Sequence, residues 1–359
     1  MAECSYSNSK LSCLTRTLAS HKNTTLLNYH QIIEYNRDRF GECLKPLSSL
    51  EHPIGMIPYQ SGLHRFSILL ATATLFLIIA GAAVTSNEAG LSVPDWPLSY
   101  GKVMPEMKDG VFYEHGHRMV ASIVGFLTVI MAILLWIKEP RLWMKRMGLT
   151  ALVLVVMQGL LGGLTVLLLL PKSVSIGHAC LAQLFFSTTV AMTVFLSKAW
   201  TEQAPQIVLD HGWPSLRTIA ATVPLLILAQ LLMGAAFRHK AAGIIPHIAG
   251  AFVVVAAVFT FGISLVTHYA NHKGLSRAGW AMMGVVFLQL FLGVGAYLAR
   301  TKMEAFAQPG AILVATTVAH VAVGALALAA SVVGALEVFR NVQQAPQESA
   351  AQSSQVTAA

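Results

Sequence analysis

Long runs of apolar residues recur along the chain and are separated by short polar segments. Within each run, charged residues are nearly absent over the roughly 20 positions that an α-helix needs to cross the hydrocarbon core of a bilayer. The runs cover residues 67–86, 118–137, 147–171, 173–197, 218–237, 241–267, 278–299 and 307–336. This pattern predicts an all-α membrane protein with eight transmembrane helices.

The two ends of the chain differ from this apolar core. Residues 1–64 are mostly polar, contain three of the four cysteines and show no clear periodicity. We expect them to form a disordered tail, or to reflect a start codon assigned too early. Residues 338–359 become rich in Gln, Ser and Ala, which predicts a second disordered tail. No stretch resembles a cleavable secretory signal.

An internal repeat divides the apolar core into two halves. The first and fifth runs end in the related sequences GAAV (81–84) and GAAF (234–237). Small residues promote close helix packing in membranes and would also let helices approach a flat macrocycle. We predict four-helix halves at 65–200 and 214–337, joined by a cytoplasmic linker at 201–213. Because each half has an even number of spans, the halves would be parallel repeats about an axis along the membrane normal.

Composition supports a membrane location and narrows the classes of ligand. Charged residues make up 11% of the chain, against about 25% in soluble domains. The net charge of +8 suits anionic lipid head groups or an anionic ligand, whereas no basic block with interleaved aromatics indicates nucleic acid. The positive-inside rule weakly favours both termini in the cytoplasm, in a cell membrane. The cysteines form neither a CxxC pair nor a zinc pattern.

Each even-numbered span carries one histidine in its outer half. Ionisable residues inside a span are costly and usually functional. Neutral imidazole is also a common ligand of haem iron. The repeat pairs His117 with His178 and His247 with His320. We therefore predict two buried haem sites, with a proton relay or a structural role as the alternatives.

The segment between the first two spans carries the most specific motif. Residues 90–97 read GLSVPDWP, and residues 114–118 read EHGHR. Together with the contexts of the other three histidines, GHA (177–179), PHIAG (246–250) and HVAVGA (320–325), these motifs resemble the haem A synthase family of cytochrome oxidase assembly. The resemblance covers about residues 65–337.

Two features depart from the family pattern. Many members carry an arginine after Val-Thr at the end of the first span, where this chain has Ser86 and Asn87 after Thr85. Some bacterial members carry a cysteine pair in the first outer loop, and this loop has none. The first difference removes one anchoring contact, and the second removes a thiol-based route of electron entry.

The resemblance implies oxidation of the C8 methyl of haem O to the formyl of haem A. The family chemistry consists of successive hydroxylations that end in loss of water from a gem-diol. We expect His117 and His178 to hold substrate haem, which a haem O synthase prenyltransferase hands over. The other pair would hold a resident haem B. An unidentified electron donor or acceptor would complete the reaction, and the sequence leaves open whether the chain forms a homo-oligomer.

Further residues near the histidines become candidates through this resemblance. Glu114, three residues before His117, shares its side of the helix and could move protons or stabilise positive charge at the methyl carbon. The alternative for Glu114 is a carboxylate favoured by the helix N-terminus. Arg118 and Arg238 are candidates for binding the haem propionates, with interfacial snorkelling as the alternative. Asp95 and Trp96 could cover the outer mouth of the first site, or form an ordinary interfacial turn.

Two other functions fit part of this pattern. A di-haem membrane cytochrome that passes electrons to or from quinol explains the four histidines equally well, but not Glu114 or the long first loop. A transporter built from two parallel halves predicts polar residues at the membrane midplane. The histidines instead lie toward one face.

Overall fold

Eight long helices form most of the part of the chain that the computed structural model describes, residues 57–303 and 309–345. They are α1 (Ser61–Ser86), α2 (Asp109–Lys138), α3 (Leu142–Leu167), α4 (Lys172–Phe195), α5 (Leu216–Arg238), α6 (Ile245–His268), α7 (Lys273–Met303) and α8 (Ala311–Asn341). Each is long and apolar enough to cross a membrane. The predicted all-α membrane fold is therefore confirmed.

The helices pack in the same order in the first and second halves. In the first half, α1 and α3 each contact both α2 and α4. In the second half, α5 and α7 each contact both α6 and α8. The histidine-bearing, even-numbered helices are therefore separated within each bundle by the odd-numbered ones. The parallel relation of the two halves about the membrane normal stays a prediction.

Each bundle has its own apolar core, and a third cluster joins them. Fully buried side chains of the first core are Leu70, Val124, Met131, Leu135 and Met144, and those of the second are Val258, Phe261, Leu265, Leu275 and Met282. Between the bundles, Ile78 of α1 and Phe186 of α4 pack on Ala325 and Ala329 of α8. Large apolar side chains such as Phe126, Phe252 and Phe291 stay exposed, as expected of surfaces that face lipid.

The ordered core extends further than the sequence suggested. α1 begins at Ser61, inside the predicted N-terminal tail, and α8 continues to Asn341, past the predicted boundary at 338. Strand β1 (Val208–Asp210), in the predicted linker, pairs in parallel with β2 (Val342–Gln344). Because β1 offers backbone partners, the chain after α8 forms a strand there. The remaining tail segments, 1–56 and 346–359, lie outside the described residues.

Candidate functional site

Each of the four predicted histidines packs its imidazole ring against a glycine of the preceding helix. A Cβ atom on any of these glycines would meet the facing imidazole ring. The distances from Cβ to imidazole Cε1 are 3.0 Å for Gly81 and His117, 3.3 Å for Gly162 and His178, 2.8 Å for Gly234 and His247, and 3.1 Å for Gly293 and His320. All are shorter than the roughly 3.5–4.0 Å of a favourable carbon contact. The small-residue runs therefore provide room for a histidine ring.

The second pair of histidines has a separation that fits iron between two imidazoles. The ring centroids of His247 and His320 lie 6.2 Å apart, with the ring planes crossed at 85°. Two metal–imidazole bonds of about 2.0–2.1 Å, plus the two half-rings, place centroids about 6 Å apart. Nδ1 of His320 is buried and has no hydrogen-bond partner among the described residues. Buried polar atoms rarely stay unpaired, so this donor set fits a haem.

The first pair has the same construction on α2 and α4. The Nδ1 atoms of His117 and His178 are both buried, and neither has a hydrogen-bond partner in the described part of the chain. Gly81 and Gly162 provide the space for the two rings. Two neutral imidazoles on helices of one bundle are again the ligands that haem iron accepts.

Three glutamines contact these histidines, and sequence analysis missed their role. Gln158, Gln230 and Gln289 each lie four residues before the glycine that receives a histidine ring. Nε2 of Gln158 donates to the backbone oxygen of His178 at 2.9 Å. The spacing Gln-x-x-x-Gly on α3, α5 and α7 is the signal that could have revealed them, because it places both side chains on one helix face.

Glu114 and Arg118 form a buried ion pair that anchors the loop between α1 and α2. The Glu114 side chain is almost completely buried, and its Oε1 lies 2.6 Å from an Arg118 terminal nitrogen. Its Oε2 accepts a 2.8 Å bond from the backbone N–H of Val93. Arg118 also donates to the backbone oxygens of Asp95 and Leu98. Both terminal nitrogens of Arg118 therefore bind protein oxygens, and its predicted contact with propionate stays a prediction.

Asp95 and Trp96 have different positions within this loop. The Asp95 carboxylate accepts bonds from the backbone N–H groups of Tyr100 and Gly101, at 2.6 and 2.7 Å. The Gly101 hydrogen bond in particular lowers the pKa of Asp95, so the carboxylate stabilises a tight turn. The Trp96 indole instead lies against Gly163, the neighbour of Gly162, which contacts His178. The loop thus reaches the helix that supports the first histidine site.

Arg238 connects the two bundles at the end of α5. One terminal nitrogen donates to the backbone oxygen of Ala82 at 2.9 Å and to the Ser86 hydroxyl at 2.7 Å. The same hydroxyl lies 2.8 Å from that of Thr317 on α8. Ser86 stands at the end of the first span, where many family members carry arginine. In this chain Arg238, from the second half, reaches Ser86. The predicted contact of Arg238 with a haem propionate stays a prediction.

Several known proteins are similar in sequence to part of this chain. The chain is 30% identical over 189 residues to a protein named "Heme A synthase" from Symbiobacterium thermophilum, covering 51% of this chain and 61% of that protein. A "Heme A synthase" from Shouchella clausii is 30% identical over 137 residues, 37% of this chain and 46% of the relative. One from Halalkalibacterium halodurans is 26% identical over 151 residues, 41% and 51% of the two chains.

These alignments span between about half and three fifths of the relatives' lengths. Residues 64–249 also match the model of the COX15-CtaA family, described as cytochrome oxidase assembly protein. The matched segment contains the GLSVPDWP and EHGHR motifs, together with His117, His178 and His247. It covers more than half of the chain. The chain therefore belongs to the COX15-CtaA family of cytochrome oxidase assembly proteins.

Proposed function

We propose that this protein is a haem A synthase, which oxidises the C8 methyl of haem O to a formyl group. One observation carries the proposal: the chain has two histidine sites of the same construction, and among the described residues only the first lies beside a folded polar loop with a buried carboxylate. A site that exchanges a prenylated substrate needs an entrance and a reactive group. A permanent cofactor site needs two ligands and close packing.

The first bundle is the substrate site in this proposal. His117 and His178 hold haem O, and the loop that places Trp96 on Gly163 covers the outer mouth of the site. Glu114 lies one helical turn before His117, on the same helix, and is held by Arg118 and Val93. Its carboxylate can accept a proton or stabilise positive charge that develops near the methyl group.

The second bundle is the resident haem B site. His247 and His320 are its ligands, and the link between α5 and α6 covers only residues 239–244, without a carboxylate. When bound, haem supplies the redox chemistry, whereas the protein supplies ligands, orientation and electrostatics. Arg238, at the outer end of α5, is the proposed partner of an anionic propionate.

The surroundings of the protein follow from the same proposal. The chain lies in the cell membrane with both termini in the cytoplasm, so the loop that contains Asp95 faces outward. It receives haem O from a haem O synthase prenyltransferase and exchanges electrons with a separate redox partner.

Haem analysis tests the proposed reaction directly. We expect membranes that contain this protein and a haem O-producing prenyltransferase to yield haem A on extraction. A double variant, His117→Ala with His178→Ala, should yield haem O and haem B only, because the substrate site has lost both ligands. Haem B with no haem A in the unchanged protein would contradict the proposal and favour the di-haem cytochrome.

Reporter fusions test the orientation. A reporter fused after Lys108, immediately before α2, should be active if it requires translocation across the membrane. The matched fusion after Pro140, between α2 and α3, should be inactive because that turn faces the cytoplasm. The opposite pair of activities would reverse the orientation and would place the histidines near the inner face.

A further inference from the structure

The glutamines on α5 and α7 contact the two imidazoles of the second site. Nε2 of Gln230 lies 3.1 Å from Nδ1 of His247 and donates to the backbone oxygen of the same residue at 2.7 Å. On the other side, Nε2 of Gln289 lies 3.4 Å from Nε2 of His320. Each histidine of this pair therefore has one glutamine amide beside its ring.

These amides have unused acceptor capacity where a bound haem would need it. Histidine that ligates a metal through one ring nitrogen donates the N–H of the other nitrogen to a neighbouring acceptor, which fixes the ring orientation. The Oε1 atoms of Gln230 and Gln289 are buried and have no hydrogen-bond partner within the described ranges. Amide nitrogen and oxygen exchange positions by rotation about the last side-chain bond, so Gln289 can present its oxygen to a ring N–H. In Gln230 the same rotation would break the bond from Nε2 to the His247 backbone oxygen, so this amide holds the histidine as a donor.

Two neighbouring glycines leave room for the amides beside the histidines. A Cβ on Gly250 would overlap Oε1 of Gln230, and a Cβ on Gly324 would lie 3.1 Å from Nε2 of Gln289. Both glycines follow the histidines on their own helices, α6 and α8. Each amide is thus enclosed between a histidine and a glycine of the adjacent helix, which limits its movement.

The first site has this support on one side only. Gln158 binds the backbone of His178. On α1, the position four residues before Gly81 is Leu77, whose side chain cannot accept a hydrogen bond. The His117 imidazole therefore packs against Gly81 but has no glutamine amide beside it. Its Nδ1 is buried and has no hydrogen-bond partner among the residues described.

We propose that Gln230 and Gln289 are positioning residues that hold the imidazoles of His247 and His320 in their crossed orientation. This inference rests on the proposed haem sites. It adds a structural difference between the sites: each histidine of the second site has a glutamine amide beside it, whereas His117 has none.

The test uses electron paramagnetic resonance of the oxidised protein together with redox titration. Crossed axial imidazoles leave two ferric d orbitals close in energy, whereas parallel ones separate them, so the spectrum reports the angle between the rings. In a His117→Ala background, which leaves the second site as the source of the bis-histidine signal, Gln230→Leu and Gln289→Leu should each shift the signal away from that of crossed rings. In Gln289→Leu, loss of an acceptor for the imidazole N–H also makes the ligand less basic, so the reduction potential should rise.

The same variants should weaken haem binding by about 10- to 100-fold, the usual effect of removing an outer-shell partner. The matched control is Gln183→Leu, which replaces another buried glutamine, on α4, that has no hydrogen bond to a histidine among the described residues. It should leave signal and potential unchanged.

Different results separate this inference from the proposed function. Unchanged protein without any bis-histidine haem signal would overturn both. A normal haem complement with the same signal and potential in Gln230→Leu and Gln289→Leu would overturn the inference alone. Equal shifts or equal haem loss in Gln183→Leu would also overturn it, because the effect would then belong to any buried glutamine.

Discussion

Gly234→Ala should remove most of the haem from the second half, although glycine itself contributes no ligand. The added Cβ would lie 2.8 Å from Cε1 and 3.2 Å from Nδ1 of His247, so the imidazole must move. Overpacking of this kind costs about 1–3 kcal/mol, and each 1.4 kcal/mol is about tenfold in affinity. We therefore expect haem affinity at this site to fall about 10- to 100-fold. His247→Ala, which removes the ligand, should abolish binding there.

The measurement is the ratio of haem B to purified protein, with the absorption spectrum of the reduced form. Gly284→Ala on α7 is the matched control, because a Cβ at Gly284 meets no atom within 4 Å among the described residues. This variant should retain full haem content, and the replacement of glycine by alanine should slightly stabilise helix α7. A normal haem ratio and spectrum in Gly234→Ala would show that the ring does not depend on this space.

The transmembrane helices were predictable because the length and polarity of a segment are local properties. The histidines could be identified for the same reason: an ionisable residue in an apolar run is conspicuous without any knowledge of its neighbours. The contact between Gly234 and His247 was not predictable in this way, because it depends on the rotation of α5 against α6. The small-residue runs predicted close helix packing and approach to a macrocycle, and only the packing shows that they also make room for a histidine ring.

Interactions across the first loop were also beyond the sequence. Arg118 lies near a span end, where a propionate, a lipid head group or a loop carbonyl are equally suitable partners. The structure selects the carbonyls of Asp95 and Leu98, which are 23 and 20 residues away along the chain. The strand after α8 also depends on residues that are distant in sequence. The polar composition after Arg340 indicated disorder, but the partner strand at 208–210 lies far away in sequence.

Glu114→Gln should stop haem A formation while leaving a bound haem signal. The substitution keeps an oxygen that can accept the Val93 N–H but removes the negative charge opposite Arg118. If the carboxylate moves a proton or stabilises developing positive charge, product formation should fall by about 10²–10⁴-fold. The rate is measured as haem A formed from haem O in membranes with equal amounts of protein.

Two further variants separate the chemical role of Glu114 from its role as an anchor. Glu114→Ala removes the carboxylate and leaves Arg118 buried without its charge partner, a change that typically costs about 3–5 kcal/mol. Arg118→Ala keeps the Glu114 carboxylate but removes the hydrogen bonds that attach the loop to α2. Its effect on haem A formation therefore measures how far the reaction depends on the position of the loop. If the charge is required, Glu114→Gln is as inactive as Glu114→Ala although its loop stays closer to the native position. If Glu114 is only an anchor, Glu114→Gln should retain much of the activity and Arg118→Ala should lose it. Haem A formation at the normal rate in Glu114→Ala would contradict both roles, because neither the charge nor the anchor would then be needed for the reaction.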